Sequence, residues 1–283
     1  MGNETNVQVN GVDLCFQTFG APDAPAVLLI AGLSMSMDHW PDEFCRRLAA
    51  AGRLVVRYDL RDNGRSVTYP PGAPGYTGAD LERDALGLLD ALGLARAHLV
   101  GLSAGGGIAL VLAIEHADRV SSLTLMSTTS GSGDDLPRPV PRLRARFAAP
   151  PPEPDWTDRD AVVDYLVDDL RAFAGSHPQD EAEKRALAER VVDRTLDMAS
   201  SVRNNWLIDH GAGDPIRPRL DRVTAPTLVI HGTEDPLFPV EHGEALAREI
   251  PGARLLALDR VGHEVPPRAT WDTVLDAIVA HTS

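Results

Sequence analysis

The sequence predicts an α/β fold: a mostly parallel, doubly wound sheet of eight strands, with a helical cap inserted after the sixth. Three observations predict it. Short apolar runs alternate with helical patterns along most of the chain. Several runs, among them Val27-Leu28-Leu29-Ile30 and Thr227-Leu228-Val229-Ile230, are apolar on both faces, as strands covered by helices on each side must be. The alternation lapses between about 131 and 220 and then resumes.

Taken in order, strands are expected at 7–9, 13–19, 26–31, 54–58, 98–101, 122–126, 227–231 and 254–258. Between them, a helix at 42–51 carries Phe44 and Leu48. A second at 79–92 places Leu81, Ala85, Leu88 and Leu92 at helical spacing, and a third occupies 108–115. Alternation of this kind implies right-handed crossovers. After Met126 the stretch 131–154 is rich in Pro, Gly and Arg, and Pro150-Pro151-Pro152 cannot lie inside a helix or a central strand. Two amphipathic patterns follow: Val162, Leu166, Leu170 and Phe173 share one face, and Leu187, Val191, Met198 and Val202 share another. The chain therefore divides into a first core part (1–130), a helical insertion (131–220) and a second core part (221–283).

At 283 residues the chain is long enough for one large domain with a sizeable core. Its net charge of −14 argues against nucleic acid or an anionic membrane surface as partner, because both would repel it. Two cysteines, Cys15 and Cys45, cannot make a disulfide framework and are expected to be reduced. There is no His/Cys cluster of metal-binding spacing, so no metal is called for. No apolar run approaches the ~20 residues that span a bilayer. The first twenty residues lack the basic flank and apolar stretch of a secretory signal, which predicts a cytoplasmic protein.

Chemistry enters at Gly101-Leu102-Ser103-Ala104-Gly105, a G-x-S-x-G motif between an apolar strand and a helical run. A serine on a sharp strand-to-helix turn needs small residues two before and two after it, where side chains would collide. Such a turn presents the hydroxyl at the carboxyl edge of the sheet, beside a helix N-terminus that favours a developing oxyanion. A phosphate-binding loop fits less well, since neither G-K-[ST] nor G-x-G-x-x-G is present.

A serine hydroxyl needs a base, and the base needs an orienting group. Asp235 follows the 227–231 strand in His231-Gly232-Thr233-Glu234-Asp235-Pro236, and His263 follows the 254–258 strand in Val261-Gly262-His263-Glu264. In a parallel sheet both turns fall on the same edge as Ser103, in the chain order serine, acid, histidine. Glu234 is the carboxylate most easily confused with Asp235. Of the other histidines, His231 reads as support for the acid's turn, and His39 and His242 fall near the edge and could line it. His98, His116, His177, His210 and His281 sit in structural or solvated contexts.

With these residues in view, the chain resembles the α/β-hydrolase superfamily over essentially its whole length. The likeness is carried by Ala31-Gly32-Leu33 with Trp40, by the stretch from Asp59 to Ser66, by Gly101 to Gly105, by His231 to Pro236 and by Gly262-His263. It implies an oxyanion hole from the backbone N–H groups of Leu33 and Ala104, although many members have His where this chain has Ala31. Within the superfamily, the stretches from Trp40 to Leu48 and from Arg57 to Ser66 look most like the polyketide methylesterases typified by aclacinomycin methylesterase. The resemblance implies a serine esterase without metal or organic cofactor, acting on a small-molecule ester as monomer or homodimer. Met35, Met37, Trp40, Trp156, Tyr165, Phe173 and Trp206 are the candidate pocket walls. The same constellation could also serve thioester or carbon–carbon hydrolysis, perhydrolysis or acyl transfer, and a non-catalytic binding protein on this scaffold is the alternative of a different class.

Overall fold

The computed structural model describes residues 4–131, 135–178, 180–209 and 215–283. Eight strands form one sheet: β1 (Thr5–Val9), β2 (Val12–Phe19), β3 (Ala26–Ile30), β4 (Leu54–Tyr58), β5 (Ala97–Leu102), β6 (Val120–Met126), β7 (Thr227–Gly232) and β8 (Arg254–Leu258). Their spatial order is β1-β2-β4-β3-β5-β6-β7-β8. β3 through β8 pair in parallel, while β1 and β2 run antiparallel at one edge. Asn10 and Gly11, both at positive φ, make the tight β1–β2 turn.

The doubly apolar runs are explained by β3. Leu28 and Ile30 join a core shared with α2 (Gly78–Ala91) and α3 (Ala104–Glu115), whereas Val27 and Leu29 join the opposite core with α1 (Asp42–Ala50) and α9 (Trp271–His281). Helix α8 (Glu241–Glu249) packs its Leu246 into the first of these cores. Period-two alternation persists, with both faces dry.

Between β6 and β7 the described residues form four α-helices where the sequence showed two patterns: α4 (Pro141–Ala148), α5 (Arg159–Phe173), α6 (Glu181–Arg194) and α7 (Met198–Leu207). α4 begins on Pro141 and ends before the Pro150 run, using proline where its missing N–H does no harm. The second pattern is split in two, because the Asp197 carboxylate accepts from the Ser200 N–H and starts a new helix. Its apolar face nevertheless stays continuous: Val191 of α6 and Met198 of α7 both pack on Val162 of α5.

Polar groups tie these helices to the sheet. Buried Arg194, at the end of α6, donates to Asp59 at 2.5 and 3.0 Å, to Asp38 at 3.0 Å and to Glu4 at 2.8 Å. Asp59 is fully buried, so removing Arg194 would strand a desolvated charge there. Among the described residues no helix is long and apolar enough to cross a membrane, and none of their His, Cys, Asp and Glu side chains cluster as metal ligands.

Candidate active site

Ser103 sits between β5 and α3 at φ 53° and ψ −120°, a conformation that L-residues rarely adopt. The flanking glycines permit it. A Cβ on Gly101 would lie 2.3 Å from the Gly105 carbonyl oxygen, and one on Gly105 would lie 2.3 Å from that of Ile30. Hydrogen bonds hold the strained residue at both ends. Its N–H donates to the Met126 carbonyl at 2.9 Å, and the Thr128 hydroxyl donates to the Ser103 carbonyl at 2.7 Å. Thr128 has no motif to reveal it; adjacency of β5 and β6 brings it there.

The structure brings Asp235 and His263 to the serine. The Asp235 Oδ2 lies 2.8 Å from His263 Nδ1, and His263 Nε2 lies 2.9 Å from Ser103 Oγ. A carboxylate only accepts, so Nδ1 carries the proton and Nε2 is left to accept from the serine hydroxyl. Asp235 is buried, and burial alone would raise its pKa. The charge and hydrogen bond of His263, the nearby His231 and the Phe238 N–H outweigh burial and hold it below the ordinary value. Its Oδ1 accepts from the N–H groups of Leu237 at 2.9 Å and Phe238 at 2.8 Å, which leaves Oδ2 for the imidazole. Glu234 instead accepts from the Ser176 N–H and hydroxyl at 2.6 and 2.9 Å, on the outside of the turn.

The His263 loop is clasped by the end of α5. The His263 N–H donates to the Phe173 carbonyl at 2.8 Å, and the Glu264 carboxylate accepts from the N–H groups of Gly262 and Gly175 at 3.2 and 3.3 Å. The Phe173 and Phe238 rings lie 5.9 and 5.4 Å from the imidazole, which is nearly buried as a result.

Gly32 passes over the serine; a Cβ there would lie 3.2 Å from the Ser103 Cβ. No described acceptor takes the N–H of Leu33 or Ala104.

The site opens into a cavity of about 2250 Å³. Of the expected walls, Met35, Tyr165, Phe173 and Trp206 line it, together with Leu33, Ala104, Leu166, Leu170, Phe147 and Phe238. Three do not. Met37 and Trp40 are fully buried beneath the turn, Trp40 packing at a tilt against Phe44 with ring centroids 5.9 Å apart within the core. Trp156 packs edge-on against Tyr165 at 5.8 Å and against the α5–α7 cluster, behind the cavity wall. In each case an apolar surface close by in the fold claims the side chain.

Among the other histidines, His39 lines the cavity, donating Nδ1–H to the Ser36 carbonyl at 3.1 Å. His242 does not line it, because it bridges Thr129 and the Pro137 carbonyl at 2.8 and 2.9 Å. His231 supports the acid's turn, donating Nε2–H to the Phe238 carbonyl at 2.7 Å, and burial depresses its pKa. His210 lies outside the described residues.

Known proteins share this fold and much of this sequence. The model of the alpha/beta hydrolase fold family matches residues 25–267. Rhodomycin D methylesterase DauP of Streptomyces sp. (strain C5) is 34% identical, with 96% of this chain and 95% of that protein covered. A putative carbamate hydrolase, RutD of Variovorax paradoxus, is 31% identical over 88% of this chain and 89% of its own. Among solved structures, the enol-lactonase from Burkholderia xenovorans superposes with a TM-score of 0.73 at 29% identity, covering 98% of this chain and 99% of that one. By fold, by serine turn and by full-length similarity, the chain belongs to the α/β-hydrolase family.

Proposed function

We propose that Ser103 is the nucleophile of this carboxylic ester hydrolase, with His263 as its base and Asp235 as the group that orients the base. The observation that carries the reading is the unbroken hydrogen-bond chain from Ser103 through His263 to Asp235, at 2.9 and 2.8 Å, with Ser103 and His263 lining the cavity. The serine oxygen attacks the ester carbonyl while His263 Nε2 takes its proton. The carbonyl oxygen, now negative, sits between the N–H groups of Leu33 and Ala104, an arrangement worth ~3–4 kcal/mol per donor. Collapse expels the alkoxide, which receives the proton from His263 and leaves as the alcohol. Water, deprotonated by the same imidazole, then releases the acid from the acyl-serine.

The substrate we infer is the methyl ester of a hydrophobic, polyketide-type acid. Two facts support that choice. The relatives with full-length similarity include rhodomycin D methylesterases, and the cavity exceeds the ~300–1,000 Å³ of ordinary small-molecule pockets. Helices α4 to α7 form the cap in this reading, with Tyr165, Leu166, Leu170 and Trp206 facing the acyl group. The test is hydrolysis of p-nitrophenyl and methyl esters by wild type and Ser103→Ala. Loss of about 10⁴-fold or more with unchanged thermal stability is expected. Activity of the variant near that of wild type overturns the assignment.

A further inference from the structure

We propose that Asn205, on α7, is a positioning residue for the oxyanion loop, so that the Leu33 N–H is aimed at the reacting oxygen only while α7 is docked. The inference rests on the roles given above to Ser103 and to the Leu33 N–H.

Ser34 follows Leu33 at φ 58°, in the left-handed region that non-glycine residues rarely adopt. Something must hold it there, and α7 makes three contacts with it. The Ser34 N–H donates to Asn205 Oδ1 at 2.9 Å, the Ser34 hydroxyl donates to the Val202 carbonyl at 3.4 Å, and the Trp206 Nε1–H donates to the Ser34 hydroxyl at 3.2 Å. The N–H bond to Asn205 fixes the Leu33–Ser34 peptide plane. The Met35 N–H closes the turn onto the Gly32 carbonyl at 3.3 Å. In a trans peptide the N–H points opposite its carbonyl, so tying down the Gly32 oxygen turns the Leu33 N–H to the other side.

Asn205 is itself over-determined. Fully buried, it accepts from Asn63 Nδ2 at 2.7 Å besides Ser34, and its own amide donates to the Arg61 carbonyl at 3.2 Å and to Tyr76 Oη at 2.7 Å. The Tyr76 hydroxyl donates onward to Asp62 at 2.7 Å, and Asn63 Oδ1 accepts from Ser201 at 2.9 Å. With two N–H groups facing Oδ1 and two acceptors facing Nδ2, the amide has one allowed orientation. A helix of the insertion thereby sets a dihedral of the loop that receives the developing charge.

The experiment compares wild type, Asn205→Ala, Asn204→Ala and Ser103→Ala on one ester and on a trifluoromethyl ketone, whose hemiketal mimics the charged intermediate. Asn204 is equally buried and serves the same docking, through the Gly72 N–H at 2.7 Å and the Pro70 carbonyl at 3.2 Å, but does not touch Ser34. Asn205→Ala is expected to lower kcat about 10- to 100-fold with KM within about twofold of wild type, and to weaken the ketone by the same factor as kcat. Asn204→Ala should lose stability yet keep kcat and ketone affinity. If Asn205→Ala does not fold, Asn205→Ser, too short to reach Ser34, carries the same expectation. Unchanged kcat and ketone affinity in the Asn205 variant, or equal losses in the Asn204 variant, overturn the inference while an inactive Ser103→Ala leaves the nucleophile standing. An active Ser103→Ala would instead undo the reading on which it rests.

Discussion

Replacing Asp235 by Asn is the sharpest probe of how the site works, because the structure dictates which way the amide must lie. The Oδ1 position faces two N–H donors, those of Leu237 and Phe238, and so must keep an oxygen. The amide nitrogen is therefore forced into the Oδ2 position, 2.8 Å from His263 Nδ1. There it donates, and Nδ1 must shed its proton to accept. The proton moves to Nε2, the atom 2.9 Å from Ser103 Oγ, and the base is lost without any change of shape. His231 cannot substitute, since its Nε2–H is engaged by the Phe238 carbonyl at 2.7 Å. A wrong-tautomer triad loses about 10⁴ in kcat, or about 5 kcal/mol of transition-state stabilisation. Steady-state ester hydrolysis with a melting curve on the same sample measures both halves of the expectation, a collapse of kcat and a retained fold. A variant within about tenfold of wild-type kcat would refute the reasoning.

Two further expectations follow from packing and from titration. Gly105→Ala drives a Cβ to 2.3 and 2.6 Å from the carbonyl oxygens of Ile30 and Ala31, so α3 must back away from the end of β3. Stability should fall by about 1–3 kcal/mol and kcat by about 10²-fold, and wild-type values of both by melting and kinetics would contradict the close approach. His98 has its pKa lowered from 6.5 to about 4, chiefly by burial and secondarily by Arg53, and its Nδ1 pairs with the Ser122 hydroxyl at 2.8 Å. The unfolded chain therefore binds the proton first as pH falls, so the His98 contribution is present above 6.5 and is lost between 6.5 and about 4. The melting temperature of His98→Gln should fall less steeply than that of wild type across that window; parallel curves would show that the histidine does not drive the decline.

The strands, the serine turn and the two residues beside it were legible because each obeys a local rule. Doubly apolar runs mark covered strands, and Gly101 and Gly105 are glycines for lack of space. Asp235 and His263 follow strands whose carboxyl ends share the edge with Ser103. The insertion was legible only in part, since a helix opened by Pro141 looks like a loop and the break at Asp197 is announced by a single carboxylate. Pocket walls were the least readable. Aromatic side chains advertise size and not direction, so Trp40 and Trp156, which serve packing, look no different from Trp206, which faces the cavity. Asn205 and Arg194 carried no motif at all. Their partners, Ser34 and Asp59, are more than a hundred residues distant in the chain, and only the docked helices bring them together.

The clasp between the end of α5 and the histidine loop bears on how such enzymes can be recombined. A Cβ at Gly262 would lie 2.3 Å from the Gly175 nitrogen, and one at Gly175 would lie 2.2 Å from the Arg260 oxygen, so the two stretches of backbone are fitted to each other with no side chain between them. A chimera that imports a foreign segment between β6 and β7 inherits a stranger at this seam unless residues 173–177 and 260–264 travel as one unit. Libraries that vary Tyr165, Leu166 and Leu170 while leaving the seam native can reshape the cavity wall with the imidazole still in register.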